Sequence, residues 1–98
     1  MYYVYVLQSQ KINEFYVGFT EDLDKRLKTH NTGDVPSTKS KRPWKIIYIE
    51  GYLNKKDALG REKFLKSGSG KKYLHKQLKN YFDAWLISSH YFPASSPK

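Results

Sequence analysis

The chain has no cysteine, which excludes disulfides and thiolate metal sites and is compatible with a reducing compartment. No apolar run is long enough to span a bilayer. The start, Met1-Tyr2-Tyr3-Val4-Tyr5-Val6-Leu7, lacks the basic lead and long apolar stretch of a signal peptide. No membrane partner is therefore expected, and the expected compartment is the cytoplasm. Acidic side chains are scarce: nine Asp and Glu stand against eighteen Lys and Arg, a net charge of +9. His30, His75 and His90 show no close metal-ligand spacing, which argues against a zinc site. What is abundant is aromatic residues, nine of them tyrosine. With 39% hydrophobic residues, the 98-residue chain can build one compact core and has no room for a second.

The positive charge is concentrated. Residues 1–34 carry four basic and five acidic side chains, whereas residues 35–81 carry thirteen basic and three acidic. A block this basic suits a polyanionic partner, because neutralised phosphates release counterions. The alternative is a solvated surface that binds nothing in particular.

Tyr2–Leu7 and Phe15–Phe19 are short, aromatic and β-branched, and the polar link between them predicts an antiparallel hairpin. Thr20 is a candidate N-cap for a helix whose early Glu21, Asp22 and Asp24 suit the positive end of its dipole. Leu23 and Leu27 give that helix an apolar stripe, while Arg26 and His30, also four apart, share another face. Residues 31–43 read as a loop. Trp44–Tyr52 reads as a third strand, and its apolar centre suggests cover on both faces. Asn54 caps a helix expected to run to about Ser67, Gly68 and Gly70 mark a break, and another helix is expected over Lys71–Asn80 with Leu74 and Leu78 inward. Residues 1–80 are expected to form the folded domain. Residues 81–98 read as a C-terminal tail, whose aromatics Tyr81, Phe82, Trp85, Tyr91 and Phe92 could pack as an extra segment.

Tyr5 and Tyr16-Val17-Gly18, followed by Arg26, His30 and later Glu62, occur in the order and spacing of a known motif set. The chain resembles the GIY-YIG endonucleases over roughly residues 1–80, most closely their short stand-alone bacterial members. Tyr3 stands where the first motif has glycine, valine replaces isoleucine in both motifs, and Phe19 stands where the repair-excinuclease members tend to carry lysine. The resemblance implies a small α/β (α+β) fold, a three-stranded antiparallel sheet flanked by helices. It implies hydrolysis of DNA phosphodiester bonds with Mg²⁺ or Mn²⁺, in DNA repair or recombination. An RNA-processing nuclease and a non-catalytic nucleic-acid-binding module on the same scaffold are the alternatives.

The resemblance places Tyr5, Tyr16, Arg26, His30 and Glu62 in a catalytic site. Glu62 would be the metal ligand, with waters completing the shell. Arg26 would neutralise charge building on the phosphoryl oxygens. Either Tyr5 or His30 would accept the proton, and Tyr16 would orient phosphate or water. Each residue also has a plainer role: strand packing for the tyrosines, pairing with Asp22 for Arg26, a helix-end contact for His30, and pairing with Lys66 for Glu62. Glu62 shares a stripe with Ala58 and Leu65, so a sheet-facing stripe would turn a carboxylate inward. Lys39, Lys41 and Arg42 are the candidate nucleic-acid patch, with Trp44 or Tyr48 as a stacking surface. Lys71 and Lys72, after Ser67-Gly68-Ser69-Gly70, are candidates to grip a backbone phosphate. That glycine segment is not a P-loop, because Leu65 and Lys72 occupy required positions.

Overall fold

The computed structural model describes residues 1–91. Strands β1 (Tyr2–Ser9), β2 (Phe15–Thr20) and β3 (Trp44–Tyr52) form one antiparallel sheet in the order β2-β1-β3. Helices α1 (Leu23–Thr32) and α2 (Pro36–Lys39) lie between β2 and β3 in the chain. Helices α3 (Lys55–Lys66), α4 (Gly68–Gln77) and α5 (Lys79–Tyr91) follow. This is the expected α+β architecture.

Alternation along β1 sends successive side chains to opposite faces. Val4 and Val6 pack with Ala58, Leu65 and Leu74 beneath α3 and α4. Tyr5 and Leu7 pack on the other face with Trp44, Tyr16, Leu23, Leu27 and Ile46. Burying a Val or Leu side chain contributes about 1.5–3 kcal/mol, so the central strand anchors both layers. The strand covered on both faces is thus β1. The cover expected on both faces of β3 is only partial: Ile47, Tyr48 and Tyr52 pack on the Val4 face and Trp44 and Ile46 on the other, but Ile49 of this edge strand is 46% exposed.

Helix starts differ from expectation for local reasons. Thr20 is still paired with Tyr3 in the sheet, so the N-cap moves to Asp22, whose carboxylate accepts from Lys25 N at 3.1 Å. Gly33, at φ 86°, closes α1 in the left-handed region that favours glycine. Asn54 caps α3 as expected, accepting from Lys56 N at 2.9 Å. Helix α4 starts at Gly68, earlier than expected, because Ser67 Oγ caps it by accepting from Gly70 N at 3.1 Å. Gly70 is not a break: α4 crosses the end of α3 so closely that a β-carbon there would overlap the Phe64 carbonyl. The expected loop 31–43 contains α2, held by Asn31, whose side chain donates to Trp44 O at 3.0 Å and accepts from Trp44 N at 2.6 Å. The boundary expected at residue 80 falls inside α5, and Phe82 packs edge-on to Phe15 at 5.2 Å between ring centres. The remainder of the expected tail, residues 92–98, lies outside the described residues. Among the described residues, no helix is long and apolar enough to cross a membrane.

Candidate active site

The register of the hairpin assembles the centre of the site. Tyr5 lies opposite Gly18 and Leu7 opposite Tyr16, so both phenols occupy the same sheet face, 6.4 Å apart between ring centres. Gly18 is required by this arrangement, since a β-carbon there would overlap the Tyr5 hydroxyl. Tyr5 is buried and Tyr16 half-buried.

His30, in the last turn of α1, is fully buried against both rings. Its ring centre is 4.8 Å from that of Tyr16 and 6.0 Å from that of Tyr5. Its Nε2 stands 3.0 Å from Tyr5 Oη, and its Nδ1 stands 2.9 Å from Thr38 Oγ1. Burial lowers the His30 pKa below its ordinary value, and the nearby Arg26 charge adds to this. Burial likewise pushes the Tyr5 phenol up to about 12, reinforced by Tyr16 and Glu62 and opposed by Arg26. At neutral pH the pair is therefore a phenol and a neutral imidazole.

Arg26 is exposed one turn before His30, close enough to Tyr5 to act on its ionisation. The expected alternative, pairing with Asp22, does not form: among the described residues Arg26 makes no ion pair. Arg26, Lys25, Thr20, Asp22 and Thr29 line a cleft of about 190 Å³. A larger cavity of about 320 Å³ lies under the other sheet face, between Phe15, Leu74 and Phe82.

Glu62 comes from α3, on the far side of the sheet from Tyr5, yet is near enough to raise the Tyr5 phenol. Its expected plainer partner is present as well: Lys66 Nζ stands 3.1 Å from Oε2. Arg61 and Glu62 flank the buried stripe of Ala58 and Leu65 on opposite sides, as 3.6 residues per turn require. On its flank Arg61 donates to Glu50 through Nε at 2.8 Å and Nη2 at 2.9 Å. Tyr48 and Tyr52 also donate to Glu50, at 2.5 Å and 2.7 Å, and the guanidinium lies 4.5 Å from the Tyr73 ring centre. This clamp fixes the roll of α3 and hence where Glu62 points. Among the described residues no group of three His, Cys, Asp or Glu side chains clusters. The Asp22 carboxylate in the cleft is engaged as the cap of α1, which leaves Glu62 as the candidate ligand.

The five basic residues expected to hold nucleic acid fall into two groups. Lys39 and Arg42 lie against Gly33, at the carbonyl end of α1. Lys41, beside them, is engaged by Glu14 at 2.6 Å. Lys71 and Lys72 are exposed on α4, where Lys71 borders the larger cavity rather than the tyrosines. Trp44 is buried, with Nε1 donating to Thr38 O, and Tyr48 is tied to Glu50, so packing and not stacking accounts for both.

Thr38, Glu50 and Arg61 are not legible as site residues from local sequence. Glu50 carried a signal nonetheless: Tyr48 and Tyr52 stand two residues to either side, on the same strand face. Thr38 carried none, because its partner is eight residues away in another helix.

Comparison with known proteins agrees with this arrangement. The family described as the GIY-YIG catalytic domain matches residues 1–77. UPF0213 protein CPE1444 of Clostridium perfringens is 40% identical over 67 residues, covering 67% of this chain and 71% of that protein. UPF0213 protein YazA of Bacillus subtilis is 39% identical over 72 residues, 72% of each chain. UPF0213 protein SSP2268 of Staphylococcus saprophyticus is 35% identical over 74 residues, 74% of this chain and 89% of that one. On the match across its sheet, α1, α3 and α4, and on these relatives, the chain belongs to the GIY-YIG nuclease family.

Proposed function

We propose that this protein is a divalent-cation-dependent endonuclease that hydrolyses DNA phosphodiester bonds in the cytoplasm, in repair or recombination, with residues 1–80 as its catalytic unit. The observation that carries this is convergence. Two phenols and an imidazole interlock, Arg26 stands beside them with no ion pair among the described residues, and the Glu62 carboxylate is near enough to raise the Tyr5 phenol.

Each residue then has a task suited to its setting. Arg26 and Lys25 in the cleft meet the phosphate, and the Arg26 guanidinium stabilises charge that develops on its oxygens. Tyr16, the more exposed phenol, orients the attacking water. Tyr5 and His30 behind it take the proton: water gives one to Tyr5 Oη as the Tyr5 proton moves to His30 Nε2. The water oxygen forms the new bond to phosphorus, the bond to the leaving oxygen breaks, and that oxygen takes a proton from solvent. His30 is the acceptor of the two, because a phenol near 12 stays protonated while a buried imidazole stays neutral.

A single carboxylate, one-fifth exposed at its side chain, fits a hard cation that keeps most of its ligands as water and substrate oxygen. Mg²⁺ or Mn²⁺ held by Glu62 would supply charge neutralisation and a more acidic water. Lys39 and Arg42 would hold the flanking backbone on the α1 side.

The test is Mg²⁺-dependent nicking of supercoiled plasmid, abolished in Glu62→Ala while duplex binding persists. Equal cutting by both proteins would remove Glu62 from the site. The Glu62–Lys66 pair is the observation that favours a second reading, a binding module without catalysis, which predicts retention of DNA with no nicking in either cation. A panel of single strands, duplex, flap and RNA then separates DNA cleavage from RNA processing.

A further inference from the structure

Thr38 is 1% exposed, has no contact with solvent to explain its hydroxyl, and sits at the end of a chain of hydrogen bonds that begins at Tyr5. Its Oγ1 donates to the Val35 carbonyl at 3.3 Å and faces His30 Nδ1 at 2.9 Å. The hydroxyl has one proton: when it goes to Val35 O, which also accepts from Thr38 N at 3.1 Å, a lone pair of Oγ1 faces the imidazole. In that arrangement His30 carries its hydrogen on Nδ1. A neutral imidazole has one protonated and one bare nitrogen, so Nε2 is bare and accepts from the Tyr5 hydroxyl 3.0 Å away.

We propose that Thr38 is a positioning residue that fixes the tautomer of His30, and through it makes Nε2 the proton acceptor for Tyr5. The direction of the whole chain, Tyr5 to His30 to Thr38 to Val35, is set at its buried end. Thr38 is itself held on both backbone sides: its N donates to Val35 O at 3.1 Å, and Trp44 Nε1 donates to its carbonyl at 2.9 Å. The opposite tautomer would set Nε2–H against Tyr5 Oη and remove His30 as acceptor for the Tyr5 proton. The catalytic consequence rests on the nuclease function proposed above; the tautomer does not.

Long-range ¹H–¹⁵N NMR of the full chain reads the tautomer directly, because protonated and bare ring nitrogens resonate far apart. The wild type is expected to show His30 with a bare Nε2 and a protonated Nδ1. Thr38→Ser, which keeps the hydroxyl, is expected to preserve that pattern. Thr38→Val, nearly equal in volume, is expected to shift His30 toward Nε2–H and to lower the cleavage rate constant about tenfold or more at unchanged DNA binding. A protonated Nε2 in the wild type overturns the proposal, and this outcome needs no variant to fold. So does a Thr38→Val protein that folds with the wild-type tautomer. If the wild type shows the expected tautomer but cuts no nucleic acid, the nuclease function fails and the tautomer assignment stands.

Discussion

Replacing Glu50 by Gln should cost stability at neutral pH and very little near pH 2. The carboxylate is 17% exposed, accepts two bonds from Arg61 and one each from Tyr48 and Tyr52, and these partners outweigh the burial that would otherwise raise its pKa. Burial raises it, but the hydrogen bonds from Arg61, Tyr48 and Tyr52 bring it from an ordinary 4.5 down to about 2. Such a depression corresponds to about 3 kcal/mol of folding stability. The folded state binds fewer protons than the unfolded chain in this window. The contribution is therefore complete above pH 4.5 and is lost as pH falls toward 2. Glu50→Gln also leaves Arg61 without its counter-charge between β3 and α3, which adds to the loss at pH 7. Urea unfolding of wild type and variant at pH 7 and at pH 2.5, followed by circular dichroism, isolates the difference from the general acid sensitivity of a basic chain. A gap of about 3 kcal/mol at pH 7 that shrinks at pH 2.5 is expected. A gap below about 0.5 kcal/mol at pH 7, or one of equal size at both pH values, would refute the clamp.

Gly18→Ala drives a methyl into the Tyr5 hydroxyl, and overpacking of this kind costs about 1–3 kcal/mol, visible as a melting point lowered by at least about 4 °C. An unchanged melting point would mean that Tyr5 does not occupy that space. The lowered pKa of His30 predicts a cleavage rate that holds through pH 7 and falls on the acid side, below 6.5. Folding stability should fall in the same acid window, since the unfolded imidazole takes up its proton first, and His30→Gln should flatten that dependence in paired melts. Lys66→Ala frees the Glu62 carboxylate, so half-maximal cleavage should need about 1.5- to 5-fold less Mn²⁺; a titration showing more Mn²⁺ required would contradict Glu62 as the ligand.

The sheet was legible because its signals are local. Tyr2–Leu7, Phe15–Phe19 and Trp44–Tyr52 each carry β-branched and aromatic runs, and a short polar link can join the first two in only one sense. Which strand lies in the middle was not local. The apolar centre of β3 resembles a buried strand more than β1 does, yet pairing on both sides of β1 decides the outcome. The convergence of Tyr5, Tyr16, Arg26 and His30 followed from one register and one helix face, both readable in spacing. The setting of Glu62 needed the tertiary structure, because its direction depends on how α3 rolls, and Glu50 on β3 fixes that roll through Arg61. Thr38 was hidden for the same reason: a threonine in a polar, basic stretch becomes buried only when α2 folds under α1.

Single-turnover cleavage of a duplex in Mg²⁺ by the wild type, Arg26→Ala and Glu62→Ala, each checked for fold by circular dichroism, tests the site most directly. Folded variants slowed about a hundredfold or more are expected, because each loses a group that meets charge developing at the phosphate. Wild-type rates in both folded variants would contradict a phosphodiester-cleaving site at Tyr5, Tyr16, Arg26, His30 and Glu62.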